Sequence, residues 1–386
     1  MHEVKGRVSA LPPVAGGATR ILDLARHRVN HSLSTGQTET ESNTDTDMAT
    51  TTLPLVRVAA AFPFMIWLRD NGRPLDLLLR EAGLPPTLVG DPDQPIPLQV
   101  GIEFLRSVAH AEGPDIGCRV VEHAGVDQIG LIGELVRASR TPREAFHLVA
   151  RAFFHHGSHE VFTFTPHAGG ATVRHVFRVP LDDEALFITQ QFVASLIASV
   201  VTRDGKDRPA LERVELTPHP VLGLSLLEPH FSCAVSPTLT GAVAVTFSDQ
   251  ALDEPYAQSR IPLAQQVTEG CGVIRGDGTL AGSIRAVLPL LLARGGEPTL
   301  AEVARFAFMS PRTLQRRLTA EGTSLSRLIE QERAARAIAL LTASTNRVQE
   351  VATEMGYGSG ASFTRAVRRW TSAPPTRLRK SRIGTR

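Results

Sequence analysis

The 386-residue chain is 42% hydrophobic and 21% charged, the proportions of a soluble globular protein, and it is too long for one ordinary core. No run of about 18 to 20 consecutive apolar residues marks a membrane span, and the N-terminus lacks the apolar run of a secretory signal, so a cytoplasmic chain is expected. The net charge of +2 conceals a split: residues 297–386 carry 16 Lys+Arg against 7 Asp+Glu, whereas the preceding residues carry 25 against 32.

Residues 1–52 include the Ser/Thr/Asn/Asp-rich stretch Thr38 to Asp47, which buries too little apolar surface to offset its ordering entropy and is expected to be disordered. Met48 stands just before the first regular pattern and is an alternative start. From Val56 the chain turns apolar, with a helix expected over Ala59 to Trp67, a second over Leu75 to Ala82 stopped by Gly83, and a third over Gln99 to Ala111. Thr141, Pro142 and Glu144 form a helix start with cap, first-position proline and third-position glutamate. Val161 to Thr165 and Ala171 to Val179 flank Gly169 and Gly170 and predict a hairpin. A long apolar helix follows over Glu184 to Val201, then strands over Glu212 to Leu216 and Val243 to Phe247. The fold class is therefore an α+β domain over 53–256. A connector over 257–296, with one apolar helix from Ile284 to Ala293, leads to an all-α domain over 297–386.

That last segment contains an internal repeat. Glu302-Val-Ala304 recurs 48 residues on as Glu350-Val-Ala352, and Leu314, Arg316 and Leu318 recur 49 residues on as Phe363, Arg365 and Val367. Each copy reads as helix, tight turn, helix. In the first, Thr299 and Glu302 cap one helix and Ser310-Pro311 starts the next; in the second, Asn346 to Gln349 takes the box role and Ser359 the cap. Leu325 to Leu341 forms the helix between the copies. The second helix of each copy turns arginines outward, as a helix entering the major groove requires. A basic face on a small helical bundle, assembling proteins without reading DNA, is the alternative.

On these residues the segment Thr299 to Lys380 resembles the DNA-binding domain of AraC/XylS-type transcriptional regulators, a double helix-turn-helix of homeodomain-like units. The resemblance is carried by Ser310 to Leu318 (SPRTLQRRL), Arg333, Glu350 to Ala352, Gly356-Tyr357, Phe363 to Arg365, Arg369 to Thr371, Pro375 and Arg379. It implies base contacts from Arg312, Thr313, Arg316, Gly360, Ala361 and Arg365. It implies phosphate contacts from Ser310, Arg317, Ser359, Ser362, Arg368 and Arg369. Gly360 and Ala361 are smaller than the family's usual residues there, Val367 replaces a usual Phe, and Ser372 a usual Gly. The upstream region, in Phe62 to Leu68, Leu78 to Pro85, Ile96-Pro97, Gly130 to Gly133 and Phe231 to Cys233, is similar to the arabinose-binding-like sensor domain of one branch of that family.

The resemblance implies an activator whose partners are promoter or operator DNA, RNA polymerase, a small-molecule effector and a second copy of the chain. It implies neither membrane nor cofactor, and a place on the nucleoid. Two further clusters stand out in the sequence. His155 and His159 stand four apart and could share a helix face as metal ligands, but apart from the adjacent Glu160 no Cys or acidic ligand is suitably spaced nearby, and no metal is expected. Cys118, Cys233 and Cys271 share no metal-ligand spacing and are expected to be reduced and mostly buried. No nucleophile elbow, phosphate loop or His-Glu-x-x-His motif is present, so an enzyme is not expected.

Overall fold

The structure, a computed structural model, describes residues 52–203, 211–238, 240–257, 274, 277–294, 296–343 and 346–380. The expected N-terminal disorder, Met48 and Cys271 lie outside the described residues. The first regular element is a strand, β1 (Leu55–Arg57), which pairs antiparallel with β2 (Pro95–Pro97). The helix expected from Ala59 begins instead at Phe62, after a 3-10 turn: α1 (Phe62–Asp70), followed by α2 (Leu75–Glu81) and α3 (Leu98–Glu112). Two helices absent from the sequence reading come next, α4 (Ile116–Ala124) and α5 (Gly130–Ala138), and then α6 (Pro142–Ala152). Thr141 caps α6 as anticipated, its hydroxyl accepting from Glu144 N at 3.2 Å.

The hairpin forms as β3 (Glu160–His167) and β4 (Gly170–Phe177). Gly169 turns it at φ +86°, and Gly170 is needed for a different reason: a Cβ there would lie 1.9 Å from the Phe247 carbonyl oxygen of the neighbouring strand. The five-stranded sheet runs β3-β4-β7-β5-β6, with β5 (Arg213–Leu216), β6 (Ala234–Pro237) and β7 (Val243–Ser248); only the β5–β6 pair is parallel. Helix α6, the long α7 (Asp183–Thr202) and the short α8 (Asp249–Asp253) pack on it. By length and mean hydropathy α7 could cross a membrane, which the sequence reading did not anticipate. It is instead the core helix of this unit, with Phe187, Ile188, Phe192, Ile197 and Val201 buried. Its two central amides are buried: Gln190 donates to Gly241 O at 2.7 Å and accepts from Thr217 N at 2.7 Å, whereas Gln191 donates to Pro114 O and leaves Oε1 without a partner among the described residues.

The apolar helix of the expected connector is longer than anticipated, α9 (Leu280–Ala293), and is a central packing element. Ile284, Val287, Leu288 and Leu291 are buried, and Ser283 Oγ accepts from Leu53 N at 2.9 Å. Beyond it lie α10 (Leu300–Phe306), α11 (Pro311–Ala320), α12 (Leu325–Ala343), α13 (Val348–Glu354), α14 (Gly360–Thr371) and α15 (Pro375–Lys380). One hydrophobic core runs without interruption from Leu53 through α9 to Ile329 in α12, so the sequence boundary at Gly296 falls inside shared packing. A second, separate core holds Ala337, Leu341, Val351, Ala352, Phe363 and Val367.

Candidate DNA interface and effector cavity

The sequence repeat is a structural repeat. In the first copy, Ser310 Oγ accepts from Thr313 N at 3.1 Å and lies 2.9 Å from Thr313 Oγ1, starting α11 with Leu314 and Leu318 inward. In the second, Ser359 Oγ accepts from Ser362 N at 3.2 Å and lies 3.0 Å from Ser362 Oγ, starting α14 with Phe363, Ala366 and Val367 inward. The turns match as well: Met309 N donates to Ala304 O at 3.0 Å, and Tyr357 N donates to Ala352 O at 2.8 Å. The chain reverses through positive φ at Phe308 (+51°) in one copy and Gly356 (+76°) in the other, 48 residues apart. Ala304 and Ala352 are fully buried where the two helices of each unit cross.

The cap of α13 falls one residue later than read. Arg347 is the N-cap, and since its guanidinium cannot accept, only the reciprocal half of a box forms: Glu350 Oε2 accepts from Arg347 N at 2.7 Å.

The outward set divides into three groups. Arg312, Arg316, Arg365 and Arg368 are exposed and make no ion pair among the described residues. Thr313, Gly360 and Ser362 are half-buried, Ala361 is exposed, and the Thr313 and Ser362 hydroxyls are held by the caps. Two arginines stand apart, one by burial and one by an ion pair. Arg317 is half-buried, with Nη1 enclosed and without a hydrogen-bond partner among the described residues. Arg369 Nε donates to Glu330 Oε1 at 2.9 Å, an oxygen that also accepts from Trp370 Nε1 at 3.1 Å. At the start of α14, Gly360 leaves room for a neighbour, since a Cβ there would meet Gln349 Oε1 at 2.3 Å.

The first unit is fixed to the rest of the chain at both ends, which sequence patterns did not reveal. Glu321, at the end of α11, accepts from Leu280 N at 2.9 Å and Ala281 N at 2.8 Å and so caps α9 with a negative charge. On the other side Arg305 of α10 pairs with Glu103 of α3, and Arg294 of α9 pairs with Glu302 at 3.1 Å. Burial holds the Arg294 pKa below the ordinary arginine value, while Glu302 opposes that shift.

Within the α+β unit lies a cavity of about 110 Å³, walled by β1, β2, α3, α6, α7 and the hairpin. Nearly all of its surface is aliphatic or phenyl carbon. Two of the clustered histidines, His156 and His175, line it. No helix continues from His155 to His159, because α6 stops at Ala152. His155, His156, His159 and His175 are all buried, and no group of three metal-ligating side chains occurs among the described residues. His175 Nε2 lies 2.9 Å from Glu160 Oε2. Burial, the first cause, drives the His156 pKa down to about 4, with Glu160 opposing and Arg57 and His175 reinforcing. Cys118 is a buried free thiol pushed up to about 12 by desolvation, and Cys233 is free and half-buried.

Two helix-turn-helix units on one connecting helix, joined to an α+β unit with an internal cavity, define a two-part DNA-binding regulator. The comparisons agree. A helix-turn-helix domain model matches residues 303–381, and a model of the arabinose-binding N-terminal domain of AraC transcription regulators matches residues 72–256. An uncharacterised HTH-type transcriptional regulator of Mycobacterium tuberculosis is 27% identical over 80% of this chain and 91% of its own length. The ornithine utilization regulator of Pseudomonas aeruginosa is 22% identical over 86% of this chain and 98% of its own. The crystal structure of the transcriptional regulator CdpR from Pseudomonas aeruginosa superposes with a TM-score of 0.39 at 23% identity, covering 83% of this chain and 98% of that one. The chain belongs to the AraC/XylS family: it is a sequence-specific DNA-binding transcriptional regulator with an arabinose-binding-like N-terminal domain. The family is one of regulators, not enzymes.

Proposed function

We propose that the chain activates transcription by laying α11 and α14 in successive major-groove segments on one face of the duplex. The observation that carries this is the pair of capped helices with apolar inner faces and unpaired outer arginines, set at either end of α12. Its 19 residues span roughly 28 Å at ~1.5 Å per residue, near the ~34 Å of one B-DNA turn. Arg312, Thr313 and Arg316 read base edges from α11. Arg365 does so from α14, where the small exposed Ala361 beside Gly360 lets the helix start approach the groove closely. Ser310, Ser359 and Ser362, with the first-turn amides, hold phosphates beside Arg317, Arg368 and Arg369, and Arg369 divides its charge between Glu330 and DNA.

Footprinting of the full chain on promoter regions beside its gene supplies the operator. On that operator Arg316→Ala weakens specific binding more than non-specific, by about 1–3 kcal/mol of discrimination. Arg368→Ala weakens both alike and lowers the salt slope by about one unit. Equal losses on every sequence for both variants would overturn the assignment.

The α+β unit binds a small-molecule effector, and its packing on α10, directly, and on α11 and α12, through α9, provides the route to the reader. The walls of the cavity include Ile96 of β2 and Leu98, Ile102 and Leu105 of α3. Helix α9 packs on β2, and α3 carries Glu103, the partner of Arg305. An effector that prefers one arrangement of these walls shifts operator affinity by that preference, typically about 1–3 kcal/mol. RNA polymerase contact and self-association complete the reading, with the protein working on the nucleoid.

A further inference from the structure

We infer that the effector cavity takes a compact apolar molecule, about the bulk of one benzene ring, whose single polar group is a hydrogen-bond donor: a hydroxyl or a protonated amine. This inference rests on the effector reading above and names the ligand chemistry of that site.

Size comes first. The cavity measures about 110 Å³, the same order as the engineered apolar cavity of ~150 Å³ that admits benzene. Its lining is the second argument. Phe146, Phe153, Phe162, Phe177 and Phe192 contribute phenyl walls, with Phe153 and Phe162 stacked at 5.2 Å, and aliphatic side chains fill most of the remainder. Thr189, on that wall, spends its hydroxyl on Ala185 O at 2.7 Å within its own helix. A sugar would leave several hydroxyls without partners here, each at the cost of its lost hydration. An amino acid would leave its carboxylate in the same position, beside a carboxylate of the protein.

The polar end then selects the head group. Glu160 lines the cavity with its side chain only 6% exposed. One carboxylate oxygen, Oε2, faces His175 Nε2, while Oε1 is buried and has no hydrogen-bond partner. Gly157 leaves Oε1 the room it occupies, since a Cβ there would come within 2.3 Å of it. His175 Nδ1, on the far side of the ring from the carboxylate, is also buried and has no hydrogen-bond partner among the described residues. Arg57, the arginine that also lines the cavity, has Nε on His155 O at 2.7 Å and Nη1 on Asp93 O, with the Asp93 carboxylate 3.8 Å away. A buried carboxylate with a spare lone pair attracts a donor and repels an anion.

The test is calorimetric titration of the full chain with benzyl alcohol, benzylamine, benzoate and L-arabinose. Benzyl alcohol and benzylamine are expected to bind at least tenfold more tightly than benzoate, and arabinose not at all. Glu160→Gln keeps an acceptor without the charge, so benzylamine loses tenfold or more while benzyl alcohol changes less than threefold. Val193→Phe, which fills the cavity from α7, abolishes both without altering the unfolding midpoint by more than a few degrees. Benzoate binding as tightly as the alcohol, arabinose binding in competition with it, or no binding by either donor would overturn the inference. Gel shifts on the operator with and without benzyl alcohol report separately: binding that leaves operator affinity unchanged sinks the effector reading and leaves the ligand chemistry standing.

Discussion

Ser372 closes α14 in the left-handed region, at φ +56° and ψ +12°, its amide donating to Arg368 O at 2.8 Å. A side chain there costs roughly 1–2 kcal/mol that glycine does not. Ser372→Gly is therefore expected to stabilise the chain by about 1 kcal/mol, read as a raised thermal midpoint with operator affinity unchanged; a lower midpoint would show that the serine contributes more than its backbone costs. His156 makes a different kind of contribution. Its ring stays neutral in the fold down to about pH 4, against an ordinary value of 6.5. Between those values the unfolded chain binds a proton that the folded chain refuses. The stability due to burying the neutral ring is complete above about pH 6.5 and is lost as pH falls toward 4, by up to about 1.4 kcal/mol per pH unit. Denaturant unfolding across that window should show a shallower slope for His156→Gln than for the parent chain. Equal slopes would remove His156 as the cause.

At the scale of elements, legibility followed the reach of the forces involved. Thr141, Thr299, Ser310 and Ser359 mark helix starts because a cap acts within three residues, and all four were readable. The hairpin was readable because alternation and Gly169 act over one turn. Strands β1 and β2 were not: three residues each, two of the six being proline, they show no alternation, and only pairing across 40 residues makes them strands. Strand β6, only four residues long, exists by its parallel bond to β5. Half of the candidate site was legible in the same sense. The outward arginines follow from helical spacing, whereas the Glu330–Arg369 pair and the Glu160–His175 pair join residues 39 and 15 apart on different elements. Glu321 is the clearest case, since its role depends on α9 starting beside it. Glu321→Ala removes both acceptors from that helix start and is expected to cost about 1 kcal/mol, with Glu321→Gln intermediate. An unchanged unfolding midpoint for the alanine variant would mean that Thr279, whose hydroxyl accepts from Gly282 N at 2.8 Å, suffices alone.

Over the whole molecule, the two readers that look alike in sequence are held in unlike ways. The first shares the large core of the α+β unit through α9 and is tied by Glu321 and Arg305. The second rests on six buried apolar residues of its own. Between Ile329 and Ala337 no side chain of α12 is fully buried, so the two are linked by helix backbone and surface pairs alone. Amide protons should record that inequality. Those of α13 and α14 would exchange together through a local opening of low free energy, while those of α10 and α11 would wait for opening of the larger unit. Hydrogen-exchange mass spectrometry on the free chain tests this, and equal protection of the two pairs would refute it. On operator DNA the slower tier should barely change and the faster one should gain most. The second reader would then settle on a site already chosen by the first, and its ordering would draw on part of the binding energy that its bases supply.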